Sequence, residues 1–120
     1  MIVLIARCEI DPAALPQLRP MIDQTMRLTW EESGCLSYSN AVESEAEGVV
    51  TIVERWENEK ALTDYLATPA MLDFHDAVQA SLIAIDARIY DVTGERPLPP
   101  PPARKPVLSI VYGANGISAA

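Results

Sequence analysis

Positive charge is scarce in this sequence of 120 residues, which carries nine Lys and Arg against 17 Asp and Glu, a formal net charge of −8 at pH 7. Binding to nucleic acid or to an anionic membrane surface calls for clustered cations, so the sequence predicts neither partner. Runs of the ~20 apolar residues that span a membrane are also lacking. The apolar start MIVLIARCEI is short and is interrupted by Arg7 and Glu9, which argues against a signal peptide. We expect a cytoplasmic protein.

Cysteine and histidine are scarce as well. Cys8 and Cys35 lie in unrelated segments without metal-ligand spacing, and His75 is the single histidine. Two such cysteines favour buried thiols over a disulfide framework. The sequence shows no phosphate-binding loop, no dinucleotide-binding glycine pattern and no metal-ligand cluster. It therefore predicts no metal, and it offers few groups that titrate near neutral pH.

Apolar periodicity and turn signals predict a single α+β domain over residues 1–94 with the order β-α-β-β-α-β. The predicted strands are Ile2–Ile10, Cys35–Val42, Val49–Trp56 and Ile83–Thr93. A helix is predicted from near Pro16 to Ser33-Gly34, and two short helices, capped by Asn58 and Thr68, run to Leu66 and to about Ser81. This order is the ferredoxin-like arrangement, a four-stranded antiparallel sheet with helices on one face.

The sheet face opposite the helices would be bare in a single copy of the chain. Two copies packed face to face cover it most simply, so we expect a homodimer through the sheet.

Proline dominates the segment after the predicted domain. Residues 95–106 are predicted to be a proline-rich linker, in which Arg96–Pro106 (RPLPPPPARKP) forms an extended polyproline spacer. Residues 107–120 form a C-terminal extension that opens with the strand-like run VLSIVYG. An exposed run of this kind is prone to aggregate unless it is docked. We expect Val107–Tyr112 to add as a strand to a sheet edge, and a disordered tail is the alternative.

Three segments of the chain, EESGCLSYS, IVERWENEKALTDYLATP and ARIYDV, occur in one order within residues 1–94. Together they resemble the antibiotic biosynthesis monooxygenase family of the dimeric α+β barrel superfamily. The resemblance implies a dimer with one pocket per subunit between sheet and helices. It also implies oxidation of phenols, quinols or polyketide-like aromatics by molecular oxygen, without metal or organic cofactor. Related families degrade haem or isomerise small signalling molecules, so the fold alone does not decide the reaction.

Trp56 and His75 are the predicted catalytic residues. By the resemblance, Trp56 is the tryptophan that ends the third strand, where it forms an aromatic wall or packs as a core residue. His75 lies on an apolar stripe with Met71, Val78 and Leu82, and is a general base or a core histidine. Glu54 and its neighbour Arg55 are interpreted as a solvated rim or a dimer contact.

Cofactor-free oxidation of a phenol needs a base, or groups that stabilise the phenolate, in an apolar pocket. The candidates for substrate binding are Tyr65, Tyr38, Tyr90, Arg88 and Arg7. Strand alternation places each arginine on one of two faces without saying which face lines the pocket.

Comparison with the related families leaves three functions open. Haem degraders have an asparagine where this chain has Ala6 and a tryptophan where it has Tyr65, although they share His75. Quinol oxidisers often have a histidine where this chain has Ala70. The leading hypothesis is a cofactor-free monooxygenase. The alternatives are a non-catalytic dimer that binds a hydrophobic ligand, and a haem-binding protein.

Overall fold

The computed structural model describes residues 1–104 and confirms the predicted fold, an α+β ferredoxin-like arrangement with a four-stranded antiparallel sheet. The elements are β1 (Ile2–Ile10), α1 (Leu15–Thr29), β2 (Cys35–Ser44), β3 (Val49–Trp56), α2 (Glu59–Leu66), α3 (Pro69–Gln79) and β4 (Leu82–Asp91). The observed ends of the elements lie within two residues of the predicted ends, except that α1 ends at Thr29, before the predicted end at Ser33-Gly34. The Val107–Tyr112 prediction lies outside the described residues.

The strands are ordered β2-β3-β1-β4, so the first strand of the chain lies in the middle of the sheet. β1 pairs antiparallel with β3, where Ile2 is opposite Trp56, and with β4, where Ile2 is opposite Asp91. A tight turn closes the β2–β3 hairpin at Gly48, whose φ of +71° is the left-handed conformation that favours glycine. The amide of Ile10 donates to the carbonyl of Gly48 at 2.8 Å, which ties the hairpin to the end of β1.

Helices α2 and α3 begin where their sequences provide N-caps. The side chain of Asn58 accepts from the amide of Ala61 at 2.8 Å, and that of Thr68 accepts from the amide of Met71 at 3.4 Å. Pro69 occupies the first turn of α3, where a missing N–H costs nothing. These two caps fix where the chain turns between α2 and α3.

All three helices lie on one face of the sheet and bury their apolar sides against it. The even-numbered residues of β1 and β3 point toward the helices, as the alternation of a strand requires. The buried core that results contains Ile2, Cys8, Ile10, Leu15, Leu18, Ile22, Val50, Trp56, Leu62, Tyr65, Met71 and Phe74.

The edge strand β4 extends beyond the cover of the helices. Ile85 and Ile89 lie opposite Cys8 and Leu4 and so share the helix-bearing side of the sheet, yet they are 56% and 44% exposed. Within residues 1–104, the helices on this face therefore cover β4 less fully than the other strands.

Residues 95–104 contain no helix or strand and are exposed. Within residues 1–104, no helix is both long and apolar enough to cross a membrane.

Candidate functional site

Strand β3 carries Trp56 and Glu54 to the helix-bearing side of the sheet. Trp56 is fully buried, and its Nε1 donates to Oε1 of Glu54 at 2.9 Å. The interpretation of Glu54 as a solvated rim group is wrong, because its residue is only 6% exposed. Arg55 points to the opposite face, where its Nε donates to Oγ of Ser37 at 2.8 Å. Glu54 and Arg55 are neighbours in the sequence, but because side chains alternate along a strand they lie on opposite faces of the sheet.

The carboxyl group of Glu54 sits in an apolar setting. Burial raises its pKa above the ordinary glutamate value, and the hydrogen bond from Trp56 acts in the opposite direction. The charge of Glu54 in turn helps to raise the pKa of Cys35 and of both Tyr38 and Tyr65, although burial is the larger cause for each. This cluster favours the neutral form of each of its titratable groups.

Tyr65 projects from α2 onto Trp56, with ring centroids 4.9 Å apart and planes inclined by 33°. Its hydroxyl lies 2.7 Å from Oγ1 of Thr29 on α1, and Thr29 donates to the carbonyl of Thr25 at 2.6 Å. Burial raises the pKa of Tyr65 far above the ordinary tyrosine value. Tyr65 therefore stays protonated and connects α2, α1 and the sheet.

Tyr38 lies opposite Glu54 in the β2–β3 ladder and is likewise buried. Its hydroxyl accepts from Nδ2 of Asn40 at 3.2 Å, and burial raises its pKa to about 12. The backbone carbonyl of Tyr38 accepts from Nε1 of Trp30 at 2.7 Å. Oδ1 of Asn40 is buried and has no hydrogen-bond partner among residues 1–104. The helix-bearing face of the sheet thus carries three buried polar side chains, those of Tyr38, Asn40 and Glu54.

A cleft of about 240 Å³ opens between α1 and the α2–α3 pair. We refer to it as the helix cleft. It is lined by Met21, Gln24, Thr25, Leu28, Thr29, Glu32, Tyr65, Thr68, Ala70, Met71, Asp73 and Phe74. Its apolar side chains, together with the hydroxyl-bearing Tyr65 and Thr29, suit a small flat molecule with one polar group.

A wider groove of about 600 Å³ lies between the first half of α1 and the tip of the β2–β3 hairpin at Glu45. Its lining is rich in proline and charge, and it includes the ion pair of Arg19 with Glu45. None of the predicted site residues lines this groove. The helix cleft is the better candidate because it includes Tyr65.

The structure brings Trp56, Tyr38 and Tyr65 to one side of the sheet and places Arg7, Arg88 and Tyr90 on the other.

Arg7 contacts Glu43 at 3.2 Å and Glu9 at 3.6 Å, and Nε of Arg88 donates to Asp86 at 3.0 Å. Tyr90 lies opposite Val3 and is half exposed. These three residues share the helix-free face of the sheet, so they do not line the helix cleft.

His75 is exposed on α3 and does not line the helix cleft. The helix buries Met71 and Phe74, so its apolar stripe passes through Phe74 and not through His75. The predicted stripe had Leu82 as its last member, and Leu82 begins β4. The His75 ring centroid is 6.2 Å from that of Phe74, which does line the cleft. Ala70, the position of the histidine expected from the resemblance, lines it directly.

Three buried polar side chains of this region, those of Glu54, Thr25 and Thr29, were not predicted from the sequence to be buried. Glu54 and Trp56 are two residues apart on β3, so their side chains point to the same face of the sheet. If Trp56 is assigned to the interior, Glu54 belongs there too. Thr25 and Thr29 follow Leu18 and Ile22 at helical spacing, a signal of buried hydroxyls in α1. Among residues 1–104, no group of three His, Cys, Asp or Glu could hold a metal ion.

Comparison with known proteins agrees with this geometry. This chain superposes on a protein from Deinococcus radiodurans that is assigned to the antibiotic biosynthesis monooxygenases. The TM-score is 0.74 at 21% identity, over 83% of this chain and all of that one.

A protein from Mycobacterium tuberculosis gives 0.69 at 27% identity, over 78% of this chain and 96% of that one. No curated protein matches the sequence. The antibiotic biosynthesis monooxygenase family model matches residues 1–77, more than half of the sequence, and the chain belongs to this family.

Proposed function

We propose that this protein is a cofactor-independent monooxygenase that oxidises a small phenol or quinol, or a polyketide-like aromatic with a phenolic ring, in the helix cleft. Family membership supports a monooxygenase-type role in general. The observation that carries the finer proposal is that Tyr65, whose ring packs against Trp56, is among the residues that line a largely apolar cleft. A flat substrate held by Met71 and Phe74 would present one hydroxyl to Tyr65.

The proposed reaction balances without an added reductant. A phenol with a free para C–H and one molecule of oxygen give a para-quinone and one molecule of water. One oxygen atom becomes the new quinone oxygen, the other leaves as water, and the substrate supplies all four electrons. The protein must bind the phenol, assist loss of its proton and exclude bulk water. No metal, flavin or haem is required, and we propose that none is used.

Three side chains are candidates to accept the proton that the phenol loses. Glu32 and Asp73 line the helix cleft, and His75 lies next to Phe74 outside the lining. His75 as general base remains a prediction, which requires its ring to turn toward the cleft mouth. Trp56 would act as a buried wall behind Tyr65 and not as a donor to substrate, since its N–H is bonded to Glu54.

Oxygen consumption with 1-naphthol tests the proposal. The expected result is uptake of oxygen with formation of 1,4-naphthoquinone, by protein treated with chelator and free of flavin. Tyr65→Phe should lower the uptake at least tenfold, because the substrate hydroxyl loses its partner. Thr63→Val is the control, since Thr63 is an exposed residue of the same helix whose hydroxyl bonds the carbonyl of Lys60. No uptake across a panel of naphthols, quinols and anthrones would reject the proposal.

A second candidate is a binding protein without turnover. It is favoured by one observation, that the helix cleft carries Ala70 and no histidine in its lining. Calorimetric binding of 1-naphthol with no oxygen uptake would select this function. The haem alternative gains no support from the placement of His75, which is exposed and lines no part of the cleft. An absorbance titration with haemin, in which no Soret shift is expected, tests it.

We also propose that two copies associate through the helix-free face of the sheet. Ile5 and Val53 lie opposite each other there, and they are 42% and 38% exposed. Tyr90 adds a half-exposed ring on β4, and the ion pairs of Arg7 with Glu9 and Glu43 lie beside this apolar centre. An apolar centre with a polar rim is the usual composition of an interface. Light scattering should give twice the mass of one chain for the wild type. The Val53→Asp variant should give the mass of a single chain.

A further inference from the structure

Among residues 1–104, Glu54 is the only acidic or basic residue that is buried. A carboxyl group in an apolar interior is costly, and replacing buried charge with apolar side chains is often neutral or stabilising. In the described part of the chain, one side-chain donor bonds Glu54, the indole N–H of Trp56 at 2.9 Å. Stability alone therefore gives little reason for a glutamate at this position, and its bond to Trp56 points to another role.

The bond from Trp56 to Glu54 sets the orientation of the indole ring. The N–H is the only polar atom of a tryptophan side chain, so an acceptor at that atom selects one ring orientation among those that packing permits. Without the acceptor, the N–H would be buried and unpaired, which favours any orientation that brings it to another acceptor. Trp56 is fully buried, so such a change would also move the side chains that touch it.

Tyr65 carries the position of Trp56 to the helix cleft. Tyr65 lines the cleft, whereas neither Glu54 nor Trp56 does. The Tyr65 hydroxyl lies 2.7 Å from Oγ1 of Thr29, and the hydroxyl of Tyr38 also interacts with it. The Tyr65 ring packs on Trp56 with a centroid distance of 4.9 Å. Because its hydroxyl end is held by other partners, the tilt of the Tyr65 ring depends on the ring of Trp56.

We infer that Glu54 is a positioning residue for the helix cleft: its bond to Trp56 holds the indole ring against Tyr65 and so keeps the Tyr65 part of the cleft wall in the position that accepts an aromatic ligand. This inference rests on the proposed function for the location of the ligand site, but not on the reaction. It requires a hydrogen-bond acceptor at position 54 and does not require a charge there. A ligand that binds only the correctly placed wall loses affinity in proportion to the molecules in which the wall is displaced.

Calorimetry with 1-naphthol in the absence of oxygen tests the inference in the full chain. Glu54→Gln keeps an acceptor for Trp56 and should bind with a Kd within about twofold of the wild-type value. Glu54→Leu removes the acceptor and should raise the Kd about tenfold, which corresponds to a correctly placed wall in about one tenth of the molecules.

Ile52→Val is the matched control for a loss of stability. Ile52 lies on β3, two residues from Glu54, and packs against the same core. The variant loses one methylene group from the core but no hydrogen bond, so its urea midpoint should fall while its Kd for 1-naphthol stays at the wild-type value. A position that serves only stability would instead give Kd values that follow the urea midpoints.

The indole N–H signal of Trp56 in proton–nitrogen NMR gives a second measurement, which needs no substitution at position 54. The chain has two tryptophans, and Trp30→Phe removes the other indole signal and so assigns that of Trp56. Binding of 1-naphthol should shift the Trp56 signal although Trp56 does not line the cleft, because Tyr65 lies between them. No shift at saturating 1-naphthol would overturn the inference even if Glu54→Leu does not fold.

The inference is also overturned if folded Glu54→Leu binds 1-naphthol as tightly as the wild type, if Glu54→Gln binds as weakly as Glu54→Leu, if Ile52→Val weakens binding as much, or if the wild type does not bind. Its failure is distinct from that of the proposed function. Binding that depends on the acceptor at position 54, without oxygen uptake, rejects the monooxygenase and leaves the inference standing. Oxygen uptake by the wild type with an unchanged Kd in Glu54→Leu rejects the inference alone.

Discussion

Replacing Trp56 with Phe should destabilise the fold by an amount that depends on pH. Two terms contribute. The smaller ring leaves unfilled space at a fully buried position, where complete removal of a large aromatic costs about 3–5 kcal/mol, so the partial loss costs about 1–2 kcal/mol. The substitution also removes the only side-chain donor that bonds Glu54 among residues 1–104, and a buried acceptor without its donor costs about 1–3 kcal/mol.

The loss of the hydrogen bond from Trp56 to Glu54 makes the cost of the substitution depend on pH. The Trp56 bond favours the ionised form of Glu54, while burial favours the neutral form and raises its pKa. Without the bond, the pKa of Glu54 in the folded state rises further. A raised carboxyl pKa means that the folded state binds more protons than the unfolded state, so stability falls as pH rises above the ordinary glutamate value. The cost of Trp56→Phe should therefore be smallest in acid and should grow until Glu54 is ionised in the folded variant.

Urea unfolding followed by far-ultraviolet circular dichroism, at several pH values from 4 to 8, measures this cost. Glu54→Gln provides the control background, because an amide at this position can still accept from Trp56 and does not titrate. In that background Trp56→Phe should cost the same at every pH. A cost that is independent of pH with Glu54 present, or that varies with pH equally when Gln replaces Glu54, would show that Glu54 does not cause the pH dependence.

Three other predictions concern the hairpin, the base and the tail. Gly48→Ala should lower stability by at least about 1–2 kcal/mol in urea unfolding, because Gly48 has a left-handed φ and an added Cβ would overlap the carbonyl of Ile10; an unchanged midpoint would contradict this. His75→Ala should lower oxygen uptake by ~10²-fold or more if His75 is the base, whereas loss with Asp73→Asn alone would move that role to the cleft lining. Truncation after Gly94 should weaken the dimer if Val107–Tyr112 docks on a sheet edge, and identical melting temperature and dimer affinity would show that it does not.

The fold was readable from the sequence because its signals are local. Strand alternation in β1 and β3, the cap of α2 by Asn58 and the Thr68-Pro69 start of α3 each depend on a few neighbouring residues. All agree with one arrangement, which is why the predicted elements are confirmed. The lack of cover over Ile85 and Ile89 was not readable, because it depends on how far the helices extend across the sheet.

The candidate site was only partly readable. Tyr38, Tyr65 and Trp56 lie together on the helix-bearing side of the sheet, but of the three only Tyr65 lines the helix cleft. Their hydrogen-bond partners were not named, since Thr29 and Tyr65 are 36 positions apart and meet only through the packing of α1 on α2. His75 directly follows the buried Phe74 on α3, and a turn of one residue along the helix is enough to expose it. An apolar stripe inferred from only four residues is too imprecise to distinguish these two neighbouring positions.

The placement of the charges bears on how a phenol would react in this protein. The lining of the helix cleft includes Glu32 and Asp73 but no Lys or Arg, and Arg7, Arg55 and Arg88 all lie on the helix-free face. A phenolate formed in the cleft would therefore have no cation to stabilise it, and the neighbouring carboxylates would oppose its charge. The neutral phenol would be the bound form, and the anion would exist only briefly. An anion that is poorly stabilised gives up an electron more readily, so the same lack of cations that makes deprotonation difficult would favour the electron transfer to oxygen that follows it.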